Sequence, residues 1–193
     1  MVDFALTLDG VDPKRLALLG LSQGGYWAPR ALAFEKRIAA GVVDPGVVDV
    51  STSWLGRFPP EALALLKSGP KEAFDAMMAE GMPAAFRSAL AFRMRPYGMT
   101  SYYDVFTAVQ AYRLGDLVGR ISCPMLVTDP DNEAFWPGQS QQLLDGLTGP
   151  KTLARFTVEE GADLHCEPKA PGLRDLRVFD WLDETLGRAA AGD

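Results

Sequence analysis

Histidine occurs once in this sequence and cysteine only twice, and these scarcities narrow the chemistry at the outset. One imidazole, His165, and two thiols far apart, Cys123 and Cys166, provide no Cys/His cluster with ligand spacing, so no metal site is expected. Two cysteines build no disulfide framework either, and both read as free thiols of a reducing compartment. No apolar run approaches the roughly 18 to 20 residues of a membrane span. Met1-Val2-Asp3-Phe4 shows neither the basic region nor the apolar stretch of a secretion signal, so the expected location is cytoplasmic. Basic clusters are missing and the net charge is −6, which argues against nucleic acid and anionic membrane as partners. Internal repeats, low-complexity tracts and flexible linkers are absent as well. At 193 residues and 48% hydrophobic content, the chain is long and apolar enough to bury a core as one soluble domain.

What is present begins with Leu16-Ala17-Leu18-Leu19-Gly20-Leu21, an apolar run suited to a strand buried on both faces, which leads directly into Gly20-Leu21-Ser22-Gln23-Gly24. Tyr26 to Lys36 then has helical composition. Strand, Gly-x-Ser-x-Gly, helix is the order of a nucleophile elbow, in which the serine sits on a strained turn with its hydroxyl exposed. Gly20 and Gly24 are expected to be small because backbone passes close by. A bare Gly-x-Ser-x-Gly also suits a glycine-rich βα turn or a phosphate-cradling loop; the flanking strand and helix favour the elbow.

Serine attacks only when a base takes its proton. The single histidine, in Gly161-Ala162-Asp163-Leu164-His165-Cys166-Glu167, follows the apolar run Leu153 to Val158 and precedes a C-terminal helical segment. A carboxylate is needed to orient that imidazole. The loop after the buried strand Pro124 to Thr128 offers Asp129, Asp131 and Glu133. Asp129, nearest the strand, reads as a turn residue bonding local backbone N–H groups. Cys166 is a poor alternative nucleophile, because neighbours in an extended chain point apart.

The order Ser22, acid, His165 resembles the α/β-hydrolase superfamily. Val11-Asp12-Pro13-Lys14-Arg15 leading into the glycine–serine turn, Phe135-Trp136-Pro137-Gly138, and Gly161-Ala162-Asp163-Leu164-His165-Cys166 look most like its branch of dipeptidyl aminopeptidase, acylaminoacyl-peptidase and dihydroxypseudooxynicotine hydrolases. The resemblance implies an acid four residues before Pro137, which is Glu133, with Asp131 the alternative acid. It also implies a Gln23 backbone N–H as one oxyanion donor. Tyr26 and Trp136 are candidate substrate contacts. The implied reaction is cofactor-free hydrolysis of an ester, amide or activated carbon–carbon bond in a small molecule, through an acyl-enzyme. The family carries about four strands before its elbow strand, whereas only Met1 to Pro13 precede it here. The N-terminal half and its second oxyanion donor are therefore expected to be missing, and the elbow strand to form an exposed edge open to homo-oligomer contacts.

The expected architecture is a partial α/β-hydrolase fold, a parallel sheet of about four strands flanked by helices. Residues 1–52 would hold the elbow strand, its helix and the next strand, Ile38 to Val43. Residues 53–117 would form a helical cap, with helices opened by Pro59-Pro60, Pro70 and Pro83 and a return helix over Tyr103 to Leu114. Its aromatic and methionine side chains either line an apolar pocket or pack helix on helix, and Trp181 reads as core. Residues 118–193 would complete the core with the acid and histidine loops.

Overall fold

A computed structural model describes residues 1–187; the end of the third expected segment lies outside them. The described residues fall into two units, Met1–Asp49 with the chain from Leu114 onward, and Val50–Arg113.

The first unit is built on four parallel strands in the order β1-β2-β3-β4. After a short helix α1 (Val2–Ala5), β1 (Ala17–Leu21) runs into α2 (Gly24–Leu32) and β2 (Ala40–Asp44). The strands β3 (Met125–Pro130) and β4 (Lys151–Phe156) are the third and fourth. All of β2 is buried, as its Val-rich composition requires of a strand covered on both faces. Successive side chains alternate between the faces. A Cβ on Gly41 would meet Leu32 of α2, and its neighbour Val42 packs on the opposite face with Leu126 and Val178.

Among the described residues β1 is the exposed edge that was expected, but it is not buried on both faces as its apolar run suggests. Leu19 and Leu21 are 47% and 44% exposed, because β1 ends the sheet and pairs only with β2 among the described residues. Helix α1 does not cover them; it buries none of its residues and is tied by the exposed pair Asp3–Arg37.

The elbow glycines are also reassigned. A Cβ on Gly20 would lie 2.2 Å from the Gly24 carbonyl oxygen, whereas one on Gly24 would meet nothing within 4 Å. The second crowded position is Gly25, where a Cβ would fall 1.9 Å from the Pro45 carbonyl oxygen. The backbone after β2 is pinned by buried polar side chains. Ser140 Oγ accepts from the Gly46 N–H at 3.0 Å and donates to the Thr128 carbonyl at 2.7 Å. Gln139 Oε1 accepts from the Val48 and Asp49 N–H groups.

In the second unit, α3 (Ser51–Leu55) was not expected from sequence. It is followed by α4 (Pro60–Ser68), α5 (Lys71–Gly81), α6 (Ala84–Met94) and α7 (Tyr102–Val109). Pro60 is the first residue of α4, but Pro70 and Pro83 stand just outside their helices in extended conformation. There each ring blocks the helix from growing backwards. Ser101 caps α7 by accepting from the Asp104 N–H at 3.2 Å. Phe106 gathers Trp54, Phe58 and Phe74 around it at ring separations of 5.7, 4.7 and 6.0 Å. Much of the aromatic content of this unit is thus spent on its own interior, while Phe86 and Phe92 remain exposed.

Chain order ends with α8 (Gln139–Gly146), between β3 and β4, and α9 (Pro171–Leu186) after β4. Trp181 of α9 is partly buried against the Val42–Leu126–Val178 cluster.

Gly25→Ala is expected to lower the unfolding free energy by about 1–3 kcal/mol, the usual penalty of forced overpacking, while Gly24→Ala shifts it by less than about 0.5 kcal/mol. Urea denaturation of the two variants checks this; equal stabilities would contradict the crowding at Pro45.

Candidate active site

Every strand of a parallel sheet fed in one direction ends on the same side, and the loops leaving those ends meet there. Leu21 at the end of β1 stands opposite Asp44 at the end of β2, so the turn after β1 abuts the turn after β2. Ser22 occupies that first turn with φ of 55°, the left-handed region that costs a non-glycine residue roughly 1–2 kcal/mol. Its N–H donates to the Asp44 carbonyl at 2.6 Å, and its carbonyl accepts from the Gly25 N–H at 2.9 Å. These bonds hold the turn in place against its strain.

The loops after β3 and β4 are tied to each other by Asn132. Its N–H donates to the Asp163 carbonyl at 2.8 Å, its side-chain amide to the Asp163 carboxylate at 2.6 Å, and it bridges Leu164 in parallel fashion. Glu133 and His165 are the next residues on either side. His165 Nδ1 lies 2.7 Å from Glu133 Oε2, and His165 Nε2 lies 2.9 Å from Ser22 Oγ. Glu133 Oε1 accepts from the Phe135 and Trp136 N–H groups at 2.7 and 3.0 Å. Burial raises the Glu133 pKa, but the hydrogen bonds from His165 and from the Trp136 and Phe135 backbone outweigh it, leaving the carboxyl below its ordinary range.

The structure therefore brings Ser22, His165 and Glu133 into one hydrogen-bonded line. Asp131 is directed elsewhere: it accepts from Arg155 at 2.7 Å and from the Val158 N–H at 3.3 Å. Asp129 is a strand residue of β3 facing Arg155 at 3.7 Å, not the turn residue expected. Trp136 is 4% exposed and, with Phe135, walls the imidazole at ring separations of 5.8 and 4.5 Å. Tyr26 is 1% exposed, packed inside α2 rather than open to a ligand. Gln23 follows Ser22 as the N-cap of α2. The Cys166 thiol turns away from the serine and donates to the Asp44 carbonyl at 3.2 Å. Burial foremost, with the Asp44 charge, pushes that thiol up to about 12, far from a reactive thiolate.

Among the described residues, no three His, Cys, Asp or Glu side chains gather to hold a metal ion, and no helix is long and apolar enough to cross a membrane. Sequence reasoning passed over two residues that touch this site. They are Asp44, at the end of β2, and Glu167, two residues beyond the histidine.

This strand–elbow–helix order, with serine, acid and histidine in the loops after β1, β3 and β4, is that of the α/β-hydrolase class. The chain is 32% identical over 188 residues to a Fusarium protein named Hydrolase LUC6, a match that spans 92% of this chain and 45% of that protein. The α/β hydrolase GrgF from Penicillium sp. sh18 superposes with a TM-score of 0.65 at 17% identity, covering 96% of this chain and 70% of that one. The 2,6-dihydroxy-pseudo-oxynicotine hydrolase superposes with a TM-score of 0.62 at 19% identity, covering 96% and 44%. No protein-family model matches. The chain has the α/β-hydrolase fold and is similar in sequence to proteins named hydrolases, and it spans less than half the length of the curated relatives it matches.

Because the folded Glu133 pKa lies below the unfolded one, the stabilisation it gives is complete above the ordinary value of 4.5 and is lost as pH falls through the folded value. Thermal unfolding between about pH 7 and about pH 3 should therefore lower the Tm of the wild type more steeply than that of Glu133→Gln. Parallel slopes would show that the carboxylate is not held by these bonds.

Proposed function

We propose that this chain carries the nucleophile, base and acid of a serine hydrolase, with Ser22, His165 and Glu133 in those roles. The carrying observation is the unbroken line of hydrogen bonds from Ser22 Oγ through both imidazole nitrogens to a buried carboxylate.

Glu133 accepts a hydrogen bond from Nδ1–H, which leaves the Nε2 lone pair facing Ser22 Oγ. As Oγ attacks a substrate carbonyl carbon, its proton passes to Nε2 and the carbonyl electrons move onto oxygen. The backbone N–H of Gln23, next to the nucleophile at the start of α2, supplies one donor to that oxyanion. Collapse of the intermediate expels the leaving group, which takes the proton from Nε2, and leaves an acyl group on Ser22. Water, activated by the same imidazole, then releases the acid.

The substrate class is a small-molecule ester, amide, or ketone whose departing carbanion is stabilised. Trp136 and Phe135 supply an apolar wall beside the imidazole, which favours an apolar or aromatic acyl group.

A second reading has its own observation. Among the described residues β1 ends the sheet, and Leu19 and Leu21 on it, Trp27 on α2 and Phe34 just beyond α2 are all more than 40% exposed. Such an edge suits pairing with another strand, so the same chain would also associate through it, with a second copy as the simplest partner.

A fluorophosphonate should label Ser22, located by peptide mapping. Labelling should fall by at least about a thousandfold in His165→Ala and about a hundredfold in Glu133→Ala, because members of such a set act as a unit. Label on another residue, or rates indifferent to both substitutions, would refute the assignment.

A further inference from the structure

Two carboxyl side chains lie buried beneath the elbow. Asp44 ends β2 and Glu167 follows His165 by two positions; both are 0% exposed. Thr128 Oγ1 donates to Asp44 Oδ1 at 2.8 Å, but Asp44 Oδ2 and both Glu167 oxygens accept from no N–H or hydroxyl group. Glu167 is within hydrogen-bonding reach of Asp44 itself. Two ionised carboxylates in such a place would repel and would leave three acceptor atoms unsatisfied, a combination native folds avoid. A single proton between them removes the repulsion and pairs two of the three atoms, the Glu167 oxygen that carries it and Asp44 Oδ2.

The backbone at Glu167 also needs holding. Cys166 and Glu167 are consecutive non-glycine residues with φ of 57° and 43°, a strained pair that persists only where its surroundings over-determine it. The Glu167 N–H donates to the Leu164 carbonyl at 2.8 Å. The Cys166 thiol reaches the Asp44 carbonyl, which also receives the Ser22 N–H. The turn that presents His165 and the turn that presents Ser22 therefore converge on one residue of β2.

We propose that Glu167 is a carboxylic acid donating its proton to Asp44, and that this buried pair is a clamp that positions His165 against Ser22. It rests on the reading of those two as base and nucleophile. Neither carboxyl touches the reacting atoms, so both are positioning residues. The charged and titratable groups facing Glu167 are Asp44 from β2, Glu133 from the loop after β3, Cys166 from its own turn, and Arg174 from α9, which also donates to the Cys166 carbonyl at 3.3 Å. Burial first, then the Asp44 charge and hydrogen bond, pushes Glu167 up to about 9, with Arg174 opposing. A folded value above the ordinary one means that folding takes up a proton. The clamp is intact at neutral pH and opens as pH rises through the folded value, and stability declines over the window from the ordinary value to the folded one.

The test measures fluorophosphonate labelling of Ser22 in the full chain from about pH 6 to about pH 10, together with the infrared band of a protonated carboxyl. Glutamine mimics the protonated acid, since its amide donates to Asp44 at any pH. The wild type should lose labelling on an alkaline limb near about pH 9. Glu167→Gln should keep the neutral-pH rate within about threefold and abolish the limb, and Glu167→Ala should label more than about tenfold more slowly at every pH. The protonated-carboxyl band should be present in the wild type at neutral pH and absent in Glu167→Gln. An unchanged alkaline limb in Glu167→Gln, or no such band in the wild type, overturns the proposal even if Glu167→Ala fails to fold. A folded wild type that does not label at Ser22 overturns the hydrolase reading and the positioning role with it; the infrared band then decides separately whether Glu167 holds the proton.

Discussion

The site hangs on one imidazole held at both nitrogens. His165 joins a serine from the turn after β1 to a carboxylate from the loop after β3, and it comes itself from the loop after β4. These three segments are far apart in the chain. Their alignment follows from the parallel register, which ends the strands on one side, and from short bonds between loops. Asn132 ties the acid loop to the histidine loop, and the Asp44 carbonyl ties the elbow to the turn after His165. Removing any of these would loosen a geometry in which an error of an ångström is costly to rate.

The arrangement carries strain and buried charge that a structure without a function to perform would shed. Ser22, Cys166 and Glu167 all take up left-handed conformations without being glycine, and all three lie within a few bonds of the imidazole or the nucleophile. Glu133 is kept ionised by three donors despite burial, while Glu167 is kept neutral by burial beside Asp44. Two carboxyl groups close in space thus hold opposite protonation states at neutral pH because one is given donors and the other is denied them, a division of roles common in catalytic sites.

Much of this was legible in the sequence, and the reasons differ by element. β2 and β3 announce themselves as apolar runs because both are buried along their length, and α4 to α6 announce themselves through prolines at or just before their first turns. Ser22, Glu133 and His165 could be picked out because the chain has one histidine and one glycine–serine turn, and because the acid stands at a fixed distance from Pro137. The exposed edge at β1 was an expectation of the family resemblance; the composition of β1 alone gives no sign that Leu19 and Leu21 are exposed, since an edge strand and a central one share the same composition. The crowding at Gly25 instead of Gly24 depends on where the Pro45 carbonyl passes, a long-range fact. The Asp44–Glu167 pair was invisible for the same reason: Asp44 and its thiol partner Cys166 are 122 positions apart, and an acid in a loop gives no local sign that the fold will bury it.

The most direct test of the account uses the scarcity with which the sequence opens. With a single histidine in the chain, nitrogen-15 labelling of histidine gives an NMR spectrum of His165 alone. The account predicts a neutral imidazole in the Nδ1–H tautomer with a strongly deshielded Nδ1 proton that disappears in Glu133→Gln. An Nε2–H tautomer, or an Nδ1 proton indifferent to Glu133, would contradict the claim that the carboxylate turns this imidazole toward Ser22.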